Sequence, residues 1–340
     1  MKKKYLFAVF CIPLLFSQCI GKKDGMIMTV NGPVASMEMG VALTHEHILV
    51  DFIGADSISE KRWDKLKVAE RALPFLKEIK ARGCQTFIEC TPAFLGRDPL
   101  LLKSLSDASG LNIITNTGYY GAINNRYIPQ HAYQESADQL AARWIQEFKK
   151  GIDGTGIKPG FIKISVADGN LSGLHMKMVV AAARAHLKTG LSIASHTGPA
   201  IPAFEQLDVL QSEGVAPEAF IWVHAQAEKD PQMHIKAARM GAWISLDGLN
   251  ENNLDDYINM IKKLKGNNLL SKVLLSHDSG YYRPGEDEGG DYRGYTTIFD
   301  KLIPRLRQEG FTESDINQIL VINSSEAFKI EVHKISQLPV

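Results

Sequence analysis

Four cysteines in 340 residues are too few for a disulfide scaffold. Charge of one sign is lacking as well. The 38 Lys and Arg balance 38 Asp and Glu, so the basic excess of a nucleic-acid binder is absent. No glycine-rich phosphate loop follows the first apolar strand, which argues against an open, doubly wound nucleotide fold. There is no low-complexity linker and no short internal repeat. What remains, 45% hydrophobic and 22% charged residues, is the composition of a globular enzyme.

The N-terminus is a different material. Lys2-Lys3-Lys4 precedes an apolar stretch, Tyr5 to Phe16, that is too short to span a bilayer comfortably and suits a signal h-region. Ser17-Gln18-Cys19 and a polar tether, Gly21 to Gly25, follow. This order resembles a bacterial lipoprotein signal over residues 1–18, with Cys19 as the lipid anchor and 19–30 as tether. The expected location is the cell envelope. Gln18, where a small residue is usual, keeps plain secretion open. Cys84 and Cys90 lie six residues apart on one apparent strand. That is roughly 20 Å, too far for a disulfide, so two buried thiols are expected.

Short apolar runs alternate with longer amphipathic ones. Strands are predicted at Val41–His45, Thr86–Cys90, Asn112–Asn116, Gly160–Ser165, Ser192–His196, Phe220–His224, Trp243–Asp247 and Lys272–His277. Helix-length stretches separate them; Met176 to Lys188 is the clearest, closed by Gly190. Eight such units predict an α/β fold, a single (β/α)8 TIM barrel over 31–332 with a tail at 333–340. A doubly wound sheet is the runner-up.

Chemistry in such a barrel sits at the C-terminal strand ends. The first strand ends in His45 and runs on to His47. Alternation points these two imidazoles one way and Glu46 the other. His196, His224 and Asp278 close or follow the fifth, sixth and eighth strands. The histidines at 131, 175, 186, 234 and 333 are expected at the surface or outside the ligand set. Four imidazoles and a carboxylate exceed the three protein ligands of one catalytic zinc and suggest two metals. Lys163 faces opposite to Ile162 and Ile164, hence inward. It is either paired with a buried acid or converted by CO2 to a carbamate, since an ammonium cannot ligate a metal.

Several stretches resemble the phosphotriesterase family of the amidohydrolase superfamily, which includes lactonases. They are Gly32-Pro33, Met39-Gly40 with Leu43-Thr44-His45-Glu46-His47, Gly96-Arg97-Asp98-Pro99, Thr117-Gly118-Tyr119-Tyr120, the segment 151–156, Ser195-His196-Thr197 and Val223-His224. The resemblance runs from about Met28 to Phe328. It implies that His45, His47 and Asp278 hold the more buried metal and His196 and His224 the more exposed one. Lys163 matches the family's carboxylated bridging lysine, and Tyr120 a tyrosine lining the lactonase site. The lactonases' arginine after strand seven is missing, because Gly248-Leu249 follows Asp247. Zinc is the expected metal, with manganese, cobalt or iron as options.

The expected reaction is hydrolysis of a lactone or other carboxylic ester, including a sugar-derived one, by a metal-bridged hydroxide with Asp278 as proton acceptor. N-acyl amide hydrolysis, phosphotriester hydrolysis and metal binding without turnover are the alternatives. Arg126 and Arg283, on two long loops, are candidates for binding a carboxylate or phosphate of a small-molecule substrate. Arg283 could equally pair with the acids at 286–288. A homodimer is compatible with the sequence.

Overall fold

The computed structural model describes residues 25–335. The signal-type segment 1–18, Cys19, the tether to 24 and residues 336–340 lie outside the described residues. Strands β1 (Met26–Thr29) and β2 (Gly32–Ala35) form an antiparallel hairpin. The tether expected over 19–30 is therefore corrected: its last residues are strand, and Ile27 is fully buried. An apolar, half-alternating run of four residues before a turn was too short to stand out.

The other strands are parallel: β3 (Ala42–Glu46), β4 (Thr86–Glu89), β5 (Asn112–Ile114), β6 (Asn116–Thr117), β7 (Phe161–Ser165), β8 (Ile193–His196), β9 (Phe220–Val223), β10 (Trp243–Asp247) and β11 (Val273–Ser276). They run β3-β4-β5 and β6-β7-β8-β9-β10-β11. β5 and β6 are one predicted strand kinked at Thr115, whose carbonyl accepts from Gly160 N–H at 2.8 Å. β11 meets β3 through bonds at their ends. Asp278 N–H donates to His45 O at 3.1 Å and His47 N–H to Ser279 O at 2.9 Å. Glu46 points away from the barrel axis and fastens the same joint, accepting from Ser276 Oγ (2.8 Å), His277 N–H (3.0 Å) and Ser279 N–H (2.9 Å). The molecule is the α/β barrel that eight strand–helix units predict.

Helices α1 (Lys65–Ala81), α2 (Pro99–Ser109), α3 (Gln130–Gln134), α4 (Ala137–Lys150), α5 (Gly173–Thr189), α6 (Ala200–Ser212), α7 (Pro231–Met240) and α8 (Leu254–Gly266) cover the outside. α5 contains the clearest predicted helix. Ser172 Oγ caps it by accepting from His175 N–H, and left-handed Gly190 (φ 76°) ends it, the conformation that favours glycine. No helix among the described residues is long and apolar enough to cross a membrane.

Alternation sorts the strand side chains into two layers. Phe161 of β7, Ala194 of β8, Ile221 of β9, Trp243 of β10 and Leu274 of β11 pack together inside the barrel with Ile27 and Phe328. Their neighbours Ile162, Ile193, Phe220, Ile244 and Val273 pack outward against the helices. The interior cluster plugs the N-terminal end of the barrel. Only polar strand ends remain to line the other end.

Candidate metal centre

Strict alternation does not by itself put His45 inside. Ala42 packs in the interior cluster and Leu43 in the outer one, so a regular strand would send His45 outward. The pairing of β3 with β4 shifts register between Leu43 and Glu46. One such irregularity inverts the phase and turns His45 and His47 inward together. β9 makes a comparable adjustment. Val223 already faces inward, and His224 follows it with a left-handed backbone (φ 61°, ψ 33°). Asp278 (φ 52°) is left-handed too. Such strain in non-glycine residues costs about 1–3 kcal/mol and persists where the surroundings impose it.

These turns bring His45, His47, Lys163, His196, His224 and Asp278 around one cavity of about 230 Å³. The His196 and His224 ring centroids are 4.3 Å apart, and those of His45 and His224 5.0 Å. Lys163 is fully buried, with Nζ 3.4 Å from His45 Nε2. Among the described residues it has no carboxylate partner within ion-pair distance, so its pairing with a buried acid is not realised. Tyr120 borders the same cavity, its hydroxyl 3.2 Å from His196 Nε2.

The donor set fits a divalent metal. His45 Nδ1 is engaged by Asp247 at 3.1 Å and His47 Nδ1 by Thr91 Oγ1 at 2.8 Å. Their Nε2 atoms therefore both face Asp278 Oδ1, at 3.6 and 3.1 Å. One ligand atom from each of the three lies within 4.8 Å of the others. Burial, then the charge of Lys163, pushes the His45 imidazole down to about 4, despite Asp247. Burial and His224 hold His196 well below its usual value. Both rings are neutral near pH 7, the form in which imidazole ligates. Burial opposes ionisation of Asp278, but the hydrogen bond from His47 and the adjacent imidazoles hold its carboxyl well below the usual range.

Asp247 was missed as a functional residue by the sequence reading. It closes β10, fully buried, and its carboxylate engages Nδ1 of both His45 and His224. It also accepts from His224 N–H at 3.0 Å and Ser245 Oγ at 2.7 Å. Burial would raise its pKa, but the charges and hydrogen bonds of His224 and His45 together hold it well below the usual carboxylate range. His45, His224 and Asp247 also form a close triad. Because the Asp247 oxygens are occupied by hydrogen bonds, we read Asp247 as orienting two ligands rather than binding an ion itself. The available signal was its place at a strand end, shared with the histidines. Asp247→Asn is expected to weaken metal binding about 10–100-fold, measurable by chelator competition, because an amide cannot accept from both rings and the backbone as the carboxylate does.

The two arginines lie elsewhere. Arg126 is exposed and donates to Ile53 O at 3.1 Å. Arg283 pairs with Glu286 of its own loop at 3.3 Å, one of the acids at 286–288. Neither lines the cavity. Of the five histidines expected at the surface or outside the ligand set, three are buried and lie outside it. His175 contacts Gly121 O, His186 contacts Leu191 O and His234 contacts Ala225 O. Each satisfies a backbone carbonyl in the packing between helices and loops. Cys84 and Cys90 are free and buried, as expected.

A larger cleft of about 510 Å³ lies between Trp63, Arg97, Tyr119 and Glu147. Arg97 there is already bidentate with Glu147 at 2.8 Å, whereas the candidate ligands all line the smaller cavity.

Residues 25–328 match the profile described as the Phosphotriesterase family. The chain is 30% identical to the phosphotriesterase homology protein of Escherichia coli, over 85% of this chain and 98% of that one. It is 24% identical to an N-acetyltaurine hydrolase of Dictyostelium discoideum, over 91% and 99%. A solved organophosphorus hydrolase from Deinococcus radiodurans superposes with a TM-score of 0.80 at 27% identity, covering 89% of this chain and 97% of that one.

Proposed function

The chain belongs to the phosphotriesterase family, two of the relatives above are named hydrolases, and from that premise we propose that it is a binuclear metal-dependent hydrolase of a lactone or other carboxylic ester. The observation that carries this reading is the cavity itself. Four histidines, Lys163 and Asp278 form its floor, and Val50, Phe52, Pro92, Leu95 and Ile123 form most of its wall. Lys163 is the one lysine or arginine among the lining residues. A neutral, compact ester fits such a wall, because an anionic group set against those apolar side chains, away from the metals on the floor, would have no partner.

Two divalent ions held there, zinc first among them, would acidify an attacking water and polarise the carbonyl. Lys163 would help hold them as a carbamate, formed by addition of CO2 to Nζ with release of two protons from the ammonium, one to free the amine and one on formation of the N–C bond. The protein's own part is to order and exclude. Asp278 Oδ1, beside both His45 and His47, takes the proton of the attacking water and passes it toward the leaving oxygen. The Tyr120 hydroxyl, held phenolic because burial raises its pKa, bounds the acyl side next to His196. The buried Val50 and Leu95 leave little room for water on their side of the reacting carbonyl.

The N-acyl amide reading draws support from the N-acetyltaurine hydrolases among the relatives. The sulfonate of such a substrate would need a cation, and Arg126 and Arg283 are turned away from the cavity. A panel of alkyl lactones, aryl esters, N-acetyl amino sulfonates and dialkyl aryl phosphates, run with the zinc-loaded chain, tests the proposal. The lactones and esters should give the highest kcat/KM. Tenfold preference for the amide or the phosphate would replace this reading, and no turnover on the whole panel would favour a binding protein. The proposal includes export with Cys19 as lipid anchor, supported by the charge–apolar–cysteine order of the first nineteen residues alone.

A further inference from the structure

The chain after β11 folds back over the metal centre. Asp278, Gly280 and Tyr281 have φ of 52°, 95° and 74°. Only the glycine adopts this region freely. Gly280 is also required by space, since a Cβ there would stand 1.9 Å from His47 O and 2.5 Å from the Tyr295 hydroxyl. Gly280 and Arg293 exchange two backbone hydrogen bonds, at 3.0 and 3.2 Å, which pins the return.

This turn carries the Tyr281 side chain back to the residue three places before it. Its hydroxyl donates to Asp278 Oδ1, the oxygen that faces His47 Nε2 at 3.1 Å and His45 Nε2 at 3.6 Å. The ring is held from several sides. The His47 ring is 4.7 Å away, the Phe52 ring stacks at 6.3 Å, and the Arg293 guanidinium lies over it at 5.3 Å. A left-handed tyrosine with its ring fixed this way is strain imposed by the fold, and strain of this kind concentrates at functional sites.

Histidine nitrogens that ligate a metal carry no proton and cannot donate to Asp278. Once His45 and His47 bind an ion, the Tyr281 hydroxyl is the side-chain donor still on that carboxylate among the described residues. We propose that Tyr281 is a positioning residue for Asp278: its hydrogen bond fixes the carboxylate beside His45 and His47, so that Asp278 meets the metal in one orientation. The inference rests on the metal-dependent reading above. Nothing in the two-residue period of β11 points to it, because the left-handed turn that makes the contact lies beyond the strand.

Tyr281→Phe removes the hydroxyl and keeps every ring contact. Zinc affinity of the full chain, measured by chelator competition for wild type and variant, is expected to fall about 10–100-fold in the variant. kcat should fall while KM holds, and thermal unfolding of the two metal-free proteins should coincide. Equal zinc affinities would overturn the inference while leaving the metal site standing. A loss of metal-free stability that accounts for the weaker binding would also overturn it, by making the hydroxyl structural. A wild-type chain that takes up no zinc would remove the reading beneath it, and the inference with it.

Discussion

Asp278→Asn is expected to keep much of its metal when loaded at saturating zinc, with an affinity lowered at least as far as in Tyr281→Phe, and to lose turnover by about 10²–10⁴-fold, the range spanned by a general acid–base group. The substitution keeps shape and one neutral oxygen donor, and His45 and His47 still offer Nε2. What disappears is basicity. The carboxylate of Asp278 stays ionised among its imidazole neighbours, and its Oδ1 lies 3.1 Å from His47 Nε2, next to any water held between the histidines. An amide at that place cannot accept the proton. Metal content by elemental analysis, alongside kcat on the best lactone or ester, checks both halves. Full turnover in the variant would take Asp278 out of the proton path.

Lys163→Ala should cost more than any substitution outside the ligand set: a loss of about one metal per chain and a fall in activity on the order of 100-fold or more. Lys163 is buried to 1% exposure at the point where the two histidine pairs meet. A lysine so buried, with no carboxylate partner among the described residues, is costly to keep in a merely structural role. Its proposed conversion to a carbamate would give the site a second carboxylate between the two sets of imidazoles. Added short-chain carboxylic acids should restore part of the activity of Lys163→Ala by taking the vacated place. An unchanged metal content would return Lys163 to a structural role.

Much of this arrangement was legible before any coordinates. The two-residue period marked Ile162 and Ile164 as outward and Lys163 as inward, and the layers follow it. Histidines closing successive apolar runs located the catalytic end, because in parallel strands with one plugged end the remaining polar termini converge. What escaped depends on backbone departures that a periodic pattern does not carry. The register shift in β3 sets the phase of His45, and the left-handed His224 follows the inward-facing Val223 and still reaches the cavity. Asp247 looked like an ordinary strand-end acid, since its role comes from contacts with residues 23 and 202 positions away. Arg126 and Arg283 were plausible by loop length, but loop tips leave side-chain direction to local turns, and both turn to partners outside the cavity. His186 lay on the apolar side of its helix in the sequence and is buried there; its polar ring is satisfied by Leu191 O, a partner no helical period reveals.

The central claim is a two-metal centre built from His45, His47, Lys163, His196, His224 and Asp278. The most direct test is the metal content of the purified chain after reconstitution with zinc and bicarbonate. About two zinc ions per chain, falling when bicarbonate is withheld, is the predicted result. No bound zinc under those conditions would contradict it and make the strand-end histidines structural.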